Sequence, residues 1–114
     1  MNEQVKTVKS EGSTKSPLKS CNQYIRIIAR NRQTLYAKYK ISEIGIFGSY
    51  VRGEQKLRSD LDILVEFDET PGLLEFIRLE SYLSAILGKK VDLVHKKALR
   101  PQLRDAILRE VRYV

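Results

Sequence analysis

From Asp60 to Phe67 the chain reads DLDILVEF, and apolar and polar residues alternate with a period of two. That period belongs to a β-strand, whose successive side chains point to opposite faces. Leu61, Ile63, Val65 and Phe67 form one face; Asp60, Asp62, Leu64 and Glu66 form the other. The first face needs a core. The second sets two carboxylates side by side, and charged side chains weaken a strand unless they face water or bind something. The chain is therefore expected to build a sheet packed on one side and acidic on the other.

The flanking segments supply the layers. Residues 21–39 read as one helix, with Cys21, Ile25, Ile28, Leu35 and Tyr39 near one face and Arg32 interrupting it at the edge. Ile41 to Phe47 reads as a first strand. Gly48-Ser49 breaks it and opens a short helix that Gly53 ends. A polar loop, Glu54 to Ser59, leads into the acidic strand, and Pro71-Gly72 centres the turn that follows. Leu73 to Leu87 reads as an amphipathic helix stopped by Gly88. In the strand Lys90–His95, Val91, Leu93 and His95 point one way and Asp92 and Val94 the other. A last helix starts near Pro101, with Leu103, Ile107, Leu108 and Val111 on its apolar side. This alternation predicts an α/β sandwich with helices over one sheet face.

At 114 residues the chain has room for one domain. Residues 21–114 hold the folding pattern. Residues 1–20, rich in Lys, Ser and Thr and free of aromatics, read as a disordered basic tail. The net charge of +7 sits on residues 1–40, which hold nine basic residues against two acidic ones. Such an excess is either a solvated surface or a contact for an acidic partner or nucleic acid. The single cysteine, Cys21, excludes an internal disulfide and fits a reducing cytoplasm. No apolar h-region opens the chain, and no run approaches the length of a membrane span, so neither secretion nor membrane insertion is expected.

Two unpaired carboxylates this close repel, and one is pushed towards protonation. A divalent cation removes the conflict, and Mg²⁺ takes oxygen ligands from carboxylates and substrate phosphates together. Gly48-Ser49 lies twelve residues before Asp60, where a helix N-terminus can bind phosphate, Gly48 permits close approach and the Ser49 hydroxyl can donate. Ser49 also suits an ordinary N-cap. Arg52, one turn on, could reach the same anion or pair with Glu54. Ser59 could donate beside Asp60 or cap the loop. Asp92 is either a strand-end residue or, if its strand lies beside the acidic one, the third carboxylate. Three carboxylates beside a phosphate-binding turn describe a two-metal phosphoryl-transfer site.

The run GSYVRGEQKLRSDLDILVEF, in which ten residues separate Gly48-Ser49 from Asp60-Leu61-Asp62, resembles the signature of the polymerase-β-like nucleotidyltransferases. With GKKVDLV after it, it looks like the minimal nucleotidyltransferases, and the resemblance covers roughly residues 22–112. It implies a small mixed β-sheet with helices on one face and the acidic face left open as the active site. By position it makes Asp60 and Asp62 metal ligands, Asp92 the third acidic residue, and Gly48 and Ser49 triphosphate contacts, with two Mg²⁺ ions and ATP as substrate. Minimal members are similar to antitoxins that transfer AMP to a tyrosine of a HEPN-type ribonuclease toxin. The basic residues 1–20 are not part of that pattern; they are a tail, an operator-DNA contact or a partner-binding arm. Two other functions stay open: an antitoxin that neutralises by binding alone, and a nucleotidyltransferase acting on RNA or a small molecule.

Three features are set aside. His95 reads as a surface or structural residue, Tyr50 as a packing aromatic beside the site, and Lys96, Lys97 and Arg100 as a solvated basic turn. Lys56 and Arg58 in the polar loop could touch phosphate, acceptor or only water.

Overall fold

The structure is a computed structural model that describes residues 19–114. Of the expected tail 1–20, residues 1–18 lie outside the described residues. Ser20 already belongs to the fold: its hydroxyl accepts the Gln23 N–H and the Gln23 side chain accepts the Ser20 N–H, a capping box that starts α1, Cys21–Arg30.

Along the chain follow α2 (Arg32–Tyr39), β1 (Ile41–Phe47), α3 (Ser49–Arg52), β2 (Leu61–Phe67), α4 (Leu73–Leu87), β3 (Val91–His95), α5 (Pro101–Glu110) and β4 (Arg112–Tyr113). A 3-10 turn, Lys96–Ala98, joins β3 to α5. The sheet runs β3-β2-β1-β4. β1 pairs antiparallel with β2 and with β4, while β2 pairs parallel with β3, so the sheet is mixed.

The core forms where the alternation places it. Leu61, Ile63 and Val65 are fully buried, and they join Ile44 and Ile46 of β1 and Val91 and Leu93 of β3. Tyr24 and Ile28 of α1, Leu35 of α2, and Leu79, Leu83 and Leu87 of α4 cover that face. Each such side chain contributes on the order of 1.5–3 kcal/mol of burial. α4 also closes the sheet edge: Glu80 accepts the Leu93 N–H and Ser84 Oγ accepts the Val91 N–H, both at 3.2 Å. No helix among the described residues is long and apolar enough to cross a membrane.

Four expectations change. The single helix 21–39 breaks at Asn31, whose backbone (φ −106°, ψ 11°) leaves the helical path. Its side-chain amide donates to Ile27 O at 2.8 Å and its Oδ1 accepts the Tyr82 hydroxyl, so the break is fastened to α4. Arg32 then begins α2 and is exposed. The apolar side of α5 is not a core face: the helix has no buried residue, and Leu103 is 51% exposed.

Third, the chain does not end in that helix but turns into β4 beside β1. Gly45 makes the approach possible, since a Cβ there would stand 2.8 Å from Val111 Cγ2 and 2.9 Å from Arg112 O. Fourth, the acidic face is not fully open. Gly45 and Phe47 share it with Asp62 and Leu64 by register, Leu64 and Phe47 are buried, and Val111 lies over Gly45. What stays accessible is the end of the sheet that carries Asp62 and Asp92.

Candidate active site

β1 ends at Phe47, opposite Asp62 on β2, and the chain must leave the sheet there without covering the carboxylate. Gly48 does this. Its φ of 81° with ψ of −152° suits glycine alone, and a Cβ at this position would collide with Asp62 Oδ2. The Gly48-Ser49 turn and the acidic strand, twelve residues apart in sequence, are thus in contact. The close approach that Gly48 permits here is that of a carboxylate.

Asp92 stands next to Asp62 in the parallel register of β2 and β3, which places it on the acidic face. Asp60 immediately precedes β2 and is more exposed, with Lys90 Nζ 4.0 Å from its Oδ2. The electrostatic burden falls on Asp62. Burial first, then the charges of Asp92 and Asp60, push its carboxyl up to about 6, and Arg52 partly offsets them. Among the described residues no three acidic, histidine or thiol side chains close into a cage for an ion. Asp62 and Asp92 adjoin on neighbouring strands with Asp60 two residues before Asp62, and an oxygen-only donor set suits a hard divalent cation.

α3 begins at Ser49, half-buried, and the N–H groups of Val51 and Arg52 donate to Gly48 O at 3.0 and 3.2 Å. Arg52 makes the pairing with Glu54 that the sequence offered, and a second one: Nε donates to Glu54 at 2.9 Å and Nη1 donates to both oxygens of Glu110, at 3.0 and 3.2 Å. Its Nη2 edge is the part left to meet a further anion. The Ser59 hydroxyl accepts the Lys56 N–H at 2.8 Å, which caps the loop beside Asp60 and leaves its own proton free to donate.

Glu110 was not singled out by the sequence, yet its Oε2 accepts the Gly48 N–H at 2.7 Å. The partners lie 62 residues apart, and a glutamate closing an amphipathic helix carries no local signal of such a bond.

The residues set aside stay outside the site. Tyr50 is 3% exposed and meets Tyr24 edge-on at 5.4 Å between ring centroids; burial, then Tyr50, pushes the Tyr24 phenol up to about 12. His95 packs edge-on against Phe67 and lies 3.1 Å from Glu66 Oε1. Lys96 donates to Glu43 at 2.9 Å and sits over the Tyr113 ring, so it does not reach the carboxylates. In the polar loop, Lys89 Nζ holds Leu57 O at 2.8 Å.

The nucleotidyltransferase domain family matches residues 25–114. The protein adenylyltransferase MntA of Thermococcus cleftensis is 52% identical over 88 residues, 77% of this chain and 89% of that one. A solved minimal nucleotidyltransferase superposes with a TM-score of 0.69 at 35% identity, over 85% of this chain and 98% of that chain. A crystal structure of a toxin-antitoxin with AMP-PNP aligns with a TM-score of 0.61 at 27% identity, over 82% of this chain and 70% of that chain.

Proposed function

The chain belongs to the nucleotidyltransferase domain family and is an enzyme of its minimal, AMP-transferring kind, and from that premise we propose that it moves AMP from ATP onto a tyrosine of a partner protein. The partner class is the helical HEPN-type ribonuclease toxin, with this chain as its antitoxin. A protein acceptor is supported by the likeness to a named protein adenylyltransferase. A toxin partner is supported by the likeness to a toxin-antitoxin structure that holds an ATP analogue.

The observation that carries the site is the Asp62 carboxylate lying against Gly48 while it faces Asp92. In this reading Asp60, Asp62 and Asp92 would hold magnesium, as two ions. The fit rests on donor chemistry: an acid pushed up to about 6 by burial and its neighbours is under a strain that a divalent cation relieves. Magnesium held there would neutralise charge on the departing pyrophosphate and would acidify the attacking hydroxyl.

The other residues bind and orient. Ser49 donates its hydroxyl to a phosphate oxygen at the turn that Gly48 makes. Arg52 offers its Nη2 edge, and Ser59 its hydroxyl proton, to the same polyphosphate. The tyrosine oxygen gives up its proton to solvent and bonds to the α-phosphorus as the bond to pyrophosphate breaks.

The test is transfer of label from ATP carrying it on the α-phosphate, with Mg²⁺, to the protein encoded by the neighbouring gene. Label on a tyrosine of that protein, lost with Asp62→Ala, is the expected result. No transfer of any nucleotide by the wild-type chain would sink the reading.

A further inference from the structure

The C-terminal helix reaches the site through one side chain. Glu110 Oε2 accepts the Gly48 N–H at 2.7 Å, and both its oxygens accept Arg52 Nη1. A single carboxylate thus holds the backbone of the Gly48-Ser49 turn and the guanidinium one turn further on. Glu110 is 23% exposed while Arg52 is 48% exposed, so the contact is anchored at its glutamate end. An exposed ion pair alone would contribute little. A carboxylate that also takes a half-buried backbone N–H makes a charge-assisted bond, shorter and roughly twice as strong as a neutral one.

α5 has no buried residue, and this contact fastens its last turn to the Gly48-Ser49 turn. The bond also settles how the turn divides its donors. The Gly48 N–H is spent on Glu110, and those of Val51 and Arg52 on Gly48 O, which leaves the Ser49 hydroxyl and the Arg52 Nη2 edge for an incoming anion. Arg52 is steered between Glu54 and Glu110, at a place where its charge is felt by Asp62.

We infer that Glu110 is a positioning residue for nucleotide transfer: through the Gly48 N–H and the Arg52 guanidinium it fixes the turn that receives the nucleotide's phosphates. This rests on the reading that the Gly48-Ser49 turn takes the triphosphate. The opposite case, a carboxylate occupying the phosphate position as a latch, predicts tighter nucleotide binding when Glu110 is removed, so the two differ in sign.

The experiment is titration of the full-length chain, in Mg²⁺, with a non-hydrolysable ATP analogue, for wild type, Glu110→Ala, Glu110→Gln and Ser49→Ala. Thermal melts run alongside to confirm folding. Glu110→Ala is expected to raise Kd about tenfold, the loss of one charge-assisted hydrogen bond. Glu110→Gln keeps an oxygen acceptor for the Gly48 N–H and is expected to restore part of the affinity. An additional Glu110→Ala should cost little in an Arg52→Ala background, because much of the effect runs through Arg52. Unchanged or tighter binding by both Glu110 variants overturns the inference, and if the alanine variant fails to fold the glutamine variant decides alone. Unchanged binding by Ser49→Ala, with Glu110→Ala weakened, overturns the reading of the turn, and the inference with it.

Discussion

The two faces of β2 differ by one residue in register and by everything in their surroundings. On one, Leu61, Ile63 and Val65 are sealed beneath α1 and α4. On the other, Leu64 is buried, but Asp62 sits where α3 and the end of α5 leave the sheet accessible. The first face works by excluding water from an apolar layer and asks little of any single geometry. The second brings like charges together against their preference and keeps them there with a glycine, an arginine and a distant glutamate. Stability is thus drawn from one side of the strand and the proposed chemistry from the other, so adjacent substitutions should give opposite phenotypes.

The largest separation is expected from Asp62→Ala, which should lower AMP transfer by at least about 10³-fold, the loss of several kcal/mol of charge stabilisation. Urea denaturation should find the fold intact. Transfer within tenfold of wild type would remove Asp62 from the machinery. In cells, Asp60→Ala with Asp62→Ala should lose protection against the proposed toxin partner; full protection would mean that neutralisation works by binding alone. One residue further, Ile63→Ala is expected to destabilise the chain by about 3–4 kcal/mol, since a fully buried side chain leaves a cavity. The fraction still folded should bind the ATP analogue as wild type does. A cost below about 1 kcal/mol would show that this face is not the sealed core.

What the sequence disclosed about these faces was what is local in it. Period-two alternation gave β2, the Gly48-Ser49 break gave the turn, and the glycine stop closed α4, because each depends on residues within a few positions. Asp92 needed one further step, the pairing of β3 with β2, and its neighbouring apolar residues made that pairing plausible. The features that escaped depend on partners far along the chain. The break at Asn31 is fastened by Tyr82, and the turn at Gly48 by Glu110. β4 had a signal in Gly45, a glycine inside an apolar strand, which marks a close backbone approach without saying by what. The stripe on α5 misled because amphipathicity tells which side of a helix is apolar, not whether anything covers it.

The smallest effect tests the strain between the faces directly. Burial, and then Asp92 and Asp60, push the Asp62 carboxyl up to about 6 in the folded chain, above its ordinary value of 3.8. A raised acid costs the folded state stability wherever it is ionised. The cost is therefore fully present above about 6, and it is released as pH falls from about 6 towards 3.8, where the unfolded chain takes up the proton as well. In metal-free buffer at pH 7.5, Asp62→Asn should stabilise the chain by about 1–2 kcal/mol, after discounting for the solvent that still reaches the site. The gain should shrink as pH approaches 5. Added Mg²⁺ should raise the melting temperature of the wild type at pH 7.5 and leave the variant nearly unmoved, since the cation and the neutral amide relieve the same repulsion. Equal pH dependence in wild type and variant would show that Asp62 is not under strain, and the contrast between the two faces would then rest on shape alone.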